Sequence, residues 1–247
     1  MQLNIMMREN KFFDKLIKDV KDGKYFCLGC DTCGEATKIN YKLQSIIDKE
    51  KLNYKIALIT SETKIKYNDI EDPEHTFIIY SPSVNTGVDI NLTSKTTQYM
   101  HIQGVSVNSI SLYQMATRTR NQKELIYFSK VNEKEVKYEN LSECRTHFKD
   151  INNMNEKLLN VSSAMSEDTD ELKALENTFF KLYTYNEYVN DTLNSNTTLH
   201  FENILTDAGF NIIKEAKTPV KHLDRATSKD MNDNLKECKN DEFKKNI

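Results

Sequence analysis

The sequence predicts an α/β protein with a mostly parallel sheet covered by helices on both faces, followed by a small helical extension. Short apolar segments typical of strands recur through the first 130 residues, and segments with helical spacing of apolar residues separate them. These strand segments are continuously apolar, which is typical of strands buried on both faces of a parallel sheet. Beyond about residue 140 the apolar residues recur at helical spacing.

The strands and helices of the first part follow from these patterns. Gly23 is predicted to end the first helix, and Ser106 and Ser109 are candidate caps for the third. The predicted strands are 25–30, 55–60, 76–81, 98–105 and 124–129, and the predicted helices are 12–20, 34–50 and 106–120. In such sheets ligands bind at the carboxyl ends of strands, so the loops that follow the strands are the candidate site.

The second part is predicted to be helical across 151–218. In LHFENILTDAGFNI, Gly209 is expected to stop a helix, with Phe210 as its apolar follower. From Pro219 onward the chain is charged and almost free of aromatic residues, which predicts a disordered tail. The predicted domains are therefore 1–140 for the α/β domain, 141–218 for the helical extension and 219–247 for the tail.

The charge is distributed unevenly along the chain. The net charge is −3, yet residues 1–150 carry 22 Lys and Arg against 20 Asp and Glu, and the remainder carries 12 against 17. A polyanion would therefore bind the first part more readily.

Other features of the composition indicate an intracellular protein. No segment approaches the roughly 18 apolar residues needed to cross a bilayer, and the first residues are too polar for a secretory signal. Five cysteines, an odd number, are typical of reduced thiols in a protein that is not exported. We expect no membrane partner.

Three cysteines with two residues between neighbours could bind zinc. Cys27, Cys30 and Cys33 lack a fourth cysteine or a histidine nearby, and a tetrahedral site needs four ligands. Cys27 and Cys30 are also expected on opposite faces of a strand. The sequence thus favours buried structural thiols and no metal. His101 is interpreted as a core or edge histidine rather than a catalyst.

Two stretches have the chemistry of a ligand site. SPSVNTGVDI (81–90) follows an apolar strand and combines hydroxyls, a glycine and a carboxylate, as loops that approach a ligand do. In QMATRTRN (114–121), Gln114 and Arg118 are four positions apart and would share a helix face that could bind a phosphate. Taken singly, each stretch is equally compatible with an ordinary turn or a solvated helix face.

The order and spacing of these stretches resemble the second RecA-like domain of superfamily 2 helicases. SPSVNTGVDI is similar to motif V of that family, and QMATRTRN is similar to motif VI. YFCLGCDTCGEATKI (25–39) resembles motif IV, and ALITSETK (57–64) resembles the following strand and its nucleic-acid-contacting turn.

Within the superfamily, the chain looks most like the replication origin-binding helicases of herpesviruses and large nucleocytoplasmic DNA viruses. KLYTYNEY (181–188) is similar to a Leu-Tyr-x-Tyr-Asn stretch in their helical extension. The resemblance covers residues 12 to about 210. It implies a viral DNA replication function, at a cytoplasmic replication site or in the nucleus.

The resemblance implies specific roles for residues of the RecA-like domain. Gly87 and Asp89 would lie at the nucleotide-facing end, with Asp89 near the ribose or the finger arginine. The residues implied to hydrogen-bond phosphates of the bound strand are Thr32, Thr60 and Ser81.

The phosphate-facing residues come from the stretch similar to motif VI. Gln114 and Arg118 would face the γ-phosphate of ATP. Many family members have a second arginine where this chain has Asn121, and here Arg120 follows instead. On a continuing helix Arg118 and Arg120 would point about 200° apart, so we expect Arg118 to be the arginine finger.

The first half of such a helicase has no counterpart in these 247 residues. The sequence contains no Gly-x-x-x-x-Gly-Lys-Ser/Thr loop and no Asp-Glu-x-His/Asp after a strand. ATP and Mg²⁺ would then be held mainly by a first RecA-like domain, in cis or in trans, and this chain alone would be inactive. The chain would be a fragment, the product of a split gene or a domain kept for binding.

Three functional hypotheses follow. The first is the C-terminal half of an ATP-dependent DNA helicase that binds single-stranded or duplex nucleic acid; the sequence alone does not distinguish DNA from RNA as the bound strand. The second is a stand-alone, non-catalytic nucleic-acid-binding domain with the same fold. The third is a nucleotide-dependent transferase of a different α/β class. The absence of a glycine-rich first turn from the sequence argues against this third hypothesis.

Overall fold

A computed structural model of the chain confirms the predicted fold class. It describes residues 3–63, 76–84, 90, 94–130, 133–159 and 170–214. Seven strands of this part form a single sheet in which every neighbouring pair is parallel, in the order β3-β4-β2-β5-β6-β1-β7. The strands are β1 (Leu3–Met6), β2 (Phe26–Cys30), β3 (Ile56–Ile59), β4 (Phe77–Tyr80), β5 (Thr97–Ile102), β6 (Glu124–Ser129) and β7 (Asn211–Lys214).

Helices cover both faces of this sheet. On one face α1 and α2 pack against a cluster that includes Phe26 and Tyr99, and on the other α3 and α6 pack against Tyr80 and Tyr127. The paired helices α4 and α5 form the extension. The helices are α1 (Glu9–Lys21), α2 (Cys33–Lys49), α3 (Ser109–Ala116), α4 (Leu141–Leu159), α5 (Asp170–Ser195) and α6 (Thr197–Asp207).

Both predicted glycine stops are confirmed. Gly23 follows α1 with φ +66°, and Gly209 follows α6 with φ +86°. After α6, the amide of Phe210 donates to the carbonyl of Leu205 and the amide of Gly209 donates to that of Thr206, both at 2.9 Å. This pair of bonds satisfies carbonyls that the end of the helix would otherwise leave without a partner.

The two strands β1 and β7 are absent from the sequence-based prediction. β1 precedes the first predicted element. β7 lies inside the region 151–218 that was predicted to be helical, so the prediction of helix was wrong for these four residues. Both strands have four residues, too few for a clear pattern, and they exist because β1 pairs with β6 and β7 pairs with β1. The segment after α5 therefore contributes to the same sheet. The predicted boundaries at residues 140 and 218 stay predictions, and the tail 219–247 lies outside the described residues.

The third helix is shorter than predicted. α3 ends at Ala116 rather than at residue 120, with Thr117 as its cap. The hydroxyl of Thr117 donates to the carbonyl of Tyr113 at 3.0 Å. The residues that follow leave the helix and pair with a distant segment, as described below.

Within the part of the chain that the structure describes, no helix combines the length and the apolar composition that crossing a bilayer would require.

Candidate functional site

Three of the predicted phosphate-binding residues follow neighbouring strands at the carboxyl edge of the sheet. Thr60 comes directly after β3, Ser81 directly after β4 and Thr32 two residues after β2. Because Ile59 is in register with Tyr80, Thr60 and Ser81 lie side by side, about 5 Å apart as on neighbouring strands. The structure thus places all three predicted residues along one stretch of this edge.

Their hydroxyls are used in local turns and caps. Thr32 is the N-cap of α2 and its Oγ1 accepts a hydrogen bond from the amide of Glu35 at 3.1 Å. Thr60 Oγ1 accepts from the amide of Glu62 at 3.2 Å, and the hydroxyls of Ser81 and Ser83 are 3.0 Å apart. Thr32 is half-buried, whereas Thr60 and Ser81 are 6% and 2% exposed. Contact of these groups with a phosphate stays a prediction.

A buried carboxylate that the sequence analysis did not single out holds this edge together. Asp31 follows β2 and is fully buried. Its Oδ2 accepts from the amides of Gly104, at 2.8 Å, and Val105, at 3.4 Å, and its carbonyl accepts from the hydroxyl of Ser106. Its Oδ1 makes no hydrogen bond. A carboxylate directly after a buried strand is the sequence signal that could have indicated this role.

Asp31 lies at the point where the sheet reverses its winding. The chain runs from β2 through α2 toward β3 and β4 on one side, and then crosses to β5 on the other. Ligands of open parallel sheets bind in the crevice outside such a point. The contacts of Asp31 join the loops on the two sides of that crevice.

The stretches similar to motifs V and VI are joined by a parallel bridge between Ile90 and Thr119. The amide of Ile90 donates to the carbonyl of Arg118 at 2.9 Å, and the amide of Arg120 donates to the carbonyl of Ile90 at 3.1 Å. Ile90 directly follows the predicted nucleotide-facing stretch, although Gly87 and Asp89 themselves lie outside the described residues. The two candidate stretches therefore meet in space, as the predicted site requires.

This pairing corrects the predicted geometry of the arginines. Arg118 lies beyond the end of α3, so the predicted helix face shared with Gln114 was wrong. Arg118 and Arg120 flank Thr119 in this bridge and lie outside the helix, so the separation of about 200° that was predicted for a continuing helix does not apply to them. Thr119 is 3% exposed, Arg118 is half-buried, and Arg120 and Gln114 are exposed.

A buried hydrogen bond fixes the arginine segment to the sheet. The hydroxyl of Thr119 donates to Oε1 of Gln98 at 2.7 Å. Across the sheet, Gln98 of β5 lies level with Cys27 of β2, and Cys27 lies level with Ile78 of β4. Ile78 is three residues before Ser81, which marks the carboxyl edge. The arginine segment therefore lies about 10 Å back along the strands from the edge that carries the predicted strand contacts.

Two of the three cysteines are buried, as predicted for structural thiols, whereas Cys33 is half-buried. Cys27 and Cys30 are buried and belong to the cores on opposite faces of the sheet, as expected. Burial raises the pKa of the Cys30 thiol well above its ordinary range, and the negative charges of Asp31 and Glu35 add to that effect. No cluster of three potential metal ligands occurs among the residues for which the structure gives positions.

A polar cleft of about 550 Å³ separates the loop after β5 from the end of α5. Across it, the side chain of Asn108 donates to Asn190 at 3.0 Å. On one wall the amide of Lys137 donates to the carboxylate of Asp191 at 2.6 Å. These bonds attach the helical extension to the α/β domain.

Comparisons with known proteins add a limited result. No protein-family model matches the sequence, and no curated protein matches it. The crystal structure of the C-terminal part of the Fun30 ATPase domain is similar over 72% of this chain, at 16% identity and with a TM-score of 0.33. The chain spans about half of that structure, 52%. A similarity of this extent carries no functional argument. The all-parallel sheet with helices on both faces is consistent with a RecA-like fold.

Proposed function

We propose that this chain is the C-terminal RecA-like half of an ATP-dependent DNA helicase of the origin-binding type. The observation that carries the proposal is the parallel bridge between Ile90 and Thr119. It joins the stretches that resemble motifs V and VI, which in such a helicase must act together at the nucleotide. The resemblance to viral origin-binding helicases supports a replication function inside the infected cell.

The donor groups of the arginine segment fit a polyphosphate. Arg118 and Arg120 flank Thr119 in the segment that pairs with Ile90, and each guanidinium can bind two phosphate oxygens in a fork. The amide of Gln114, at the last turn of α3, can add a further hydrogen bond. ATP with Mg²⁺ supplies the phosphoryl group that is transferred to water. In this proposal the guanidinium groups stabilise the negative charge that spreads over the γ-phosphate oxygens.

Strand binding is assigned to the carboxyl edge. Thr32 offers the most accessible hydroxyl of the three predicted residues, at the N-terminus of the 17-residue helix α2. A hydroxyl that accepts from Glu35 retains its own hydrogen for donation to a phosphate. Contacts of this kind carry no base information, so the chain should bind strands of different sequence with similar affinity.

The experiment measures strand binding and ATP turnover with the purified chain. Fluorescence anisotropy with labelled single strands of dT and of mixed sequence should give similar affinities that fall with salt. ATP hydrolysis should stay at background, since the proposal assigns the phosphate cradle to a partner domain. Absence of strand binding, or robust turnover by this chain alone, would contradict the proposal.

The non-catalytic alternative makes a different prediction for the same preparation. A stand-alone binding domain would bind the strand equally well, but it would not increase ATP turnover when a RecA-like domain with a Walker-type loop is supplied. The turnover of the combined domains therefore separates the two functions.

A further inference from the structure

His101 is a buried polar side chain without a hydrogen bond. It lies on β5, is 1% exposed, and neither of its ring nitrogens has a hydrogen-bond partner. The rings of Phe12, Phe13 and Phe128 surround it, with centroids 5.7, 5.4 and 5.1 Å away. Buried polar groups are nearly always hydrogen-bonded, so this imidazole requires an explanation.

The imidazole faces the N-terminus of α1. Nε2 of His101 lies 3.6 Å from Oε1 of Glu9, which is too long for a hydrogen bond. Glu9 is the first residue of the 13-residue helix α1, and the N-cap residue Arg8 gives this helix no side-chain cap. The carboxylate of Glu9 is 52% exposed and therefore has room to move away.

Two lysines add positive charge at the same place. The contact with His101 lowers the pKa of Glu9 and burial opposes this, while the charges of His101, Lys130 and Lys42 lower it further. Lys130 follows β6, and Nζ of Lys42 lies 4.3 Å from the centroid of the Phe13 ring. Asp14 also acts on Lys42 and partly offsets its charge.

We propose that the N-terminus of α1, His101, Lys42 and Lys130 form a phosphate-binding site. In the free protein the carboxylate of Glu9 occupies the position of the phosphate, and on binding it turns out to solvent. The phosphate accepts hydrogen bonds from Nε2 of His101 and from the first amides of α1, and the two lysines neutralise its charge.

A phosphate fits this site better than a carboxylate because its oxygens point in several directions. The donors come from four different elements, α1, α2, β5 and the end of β6. The site does not depend on the proposed helicase function. The phosphate belongs either to the backbone of a nucleic acid, since the site lies on the same edge as Thr32, or to a free nucleotide or inorganic phosphate.

The test compares three variants of the full chain. Glu9→Gln removes the competing carboxylate, Lys130→Gln removes one cation, and Lys21→Gln is the matched control at the other end of α1, where Lys21 pairs with Glu50 at 2.8 Å. The probes are a labelled dT single strand, ATP and inorganic phosphate. Thermal unfolding verifies that each variant is folded.

Glu9→Gln should tighten binding of at least one probe by about threefold or more. Lys130→Gln should weaken binding of the same probe by a similar factor, and Lys21→Gln should leave that binding unchanged. That probe should also shift the backbone amide resonances of Glu9 and Asn10. A response to the single strand alone assigns the site to a nucleic-acid backbone, and a response to ATP or phosphate assigns it to a free anion. Equal or weaker binding by Glu9→Gln for every probe, or unshifted resonances at α1, would overturn the proposal.

Discussion

At the scale of single residues, Asp31 connects the two sides of the crevice at the carboxyl edge. Its carboxylate binds the amides of Gly104 and Val105, and Asp31 and Gly104 are buried. Asp31→Ala should lower the free energy of unfolding by about 1–3 kcal/mol, because the amide of Gly104 would be left buried without an acceptor. Asp31→Asn keeps an acceptor oxygen and should cost less. Urea unfolding measures both, and an Asp31→Ala variant as stable as the wild type would contradict this role.

A second buried carboxylate makes stability depend on pH. Burial raises the pKa of Asp19, but hydrogen bonds from Lys15, Lys24 and Tyr99 together lower it by more, so its pKa lies below the ordinary value. The stabilisation is therefore present at neutral pH and is lost as the pH falls through the acidic range below about 4. The difference in unfolding free energy between wild type and Asp19→Asn should shrink as the pH is lowered from 7 to 3. A difference that stays constant over this range would contradict the assignment.

What the sequence could predict at this scale depended on distance along the chain. Thr60 and Ser81 are the last residues of the predicted strands 55–60 and 76–81, whose apolar residues are adjacent in sequence, and in the structure each directly follows its strand. The partners of Asp31 are more than 70 residues away, and nothing in the local pattern around Asp31 indicates them. Thr119 and Gln98 are 21 residues apart, and the local pattern around Thr119 does not indicate their bond either.

At the scale of elements, Thr32 begins the helix that flanks the candidate site. Thr32→Ala should lower the free energy of unfolding by about 1 kcal/mol, since the amide of Glu35 would lose its side-chain acceptor. Thr32→Ser retains the hydroxyl and should be close to wild type. If the hydroxyl also binds a phosphate, Thr32→Ala should weaken single-strand binding equally for different sequences, whereas Thr32→Ser should not. A strong change in sequence preference would contradict a backbone contact.

The segment after α3 shows why a helical pattern can be misleading. The residues from Gln114 to Arg120 include no glycine or proline, so nothing local ends the helix. The helix ends because Ile90, in an earlier part of the chain, forms main-chain bonds on both sides of Thr119. Tertiary pairing overrides local propensity here, and it takes Arg118 and Arg120 out of the helix.

At the scale of the whole molecule, the α/β domain and the later helices share one core. Phe201 and Leu205 of α6 are fully buried in the same cluster as Leu125 and Tyr127 of β6. A chain that ends at residue 140 would expose this apolar surface and leave β1 as an open edge. We expect that shortened chain to aggregate or to lose cooperative unfolding, whereas a chain ending at residue 218 should unfold cooperatively. Circular dichroism during heating distinguishes these outcomes, and a cooperatively folded 1–140 chain would contradict the shared core.

The central proposal is that Arg118 and Arg120 act on the γ-phosphate of ATP in a two-domain helicase. The most direct measurement is steady-state ATP turnover with saturating single strand, in the enzyme that combines this chain with a RecA-like domain bearing a Walker-type loop. Arginine fingers increase the rate of phosphoryl transfer by a factor on the order of 10³ to 10⁵, so Arg118→Ala should abolish nearly all turnover. Arg118→Lys should restore little of it, because an ammonium group cannot bind two oxygens in a fork. Arg120→Ala should also reduce turnover, since Arg120 lies two residues from Arg118 in the segment that pairs with Ile90. Lys181→Ala is the control, because Lys181 is exposed on α5. Turnover close to wild type in both Arg118→Ala and Arg120→Ala would contradict the account.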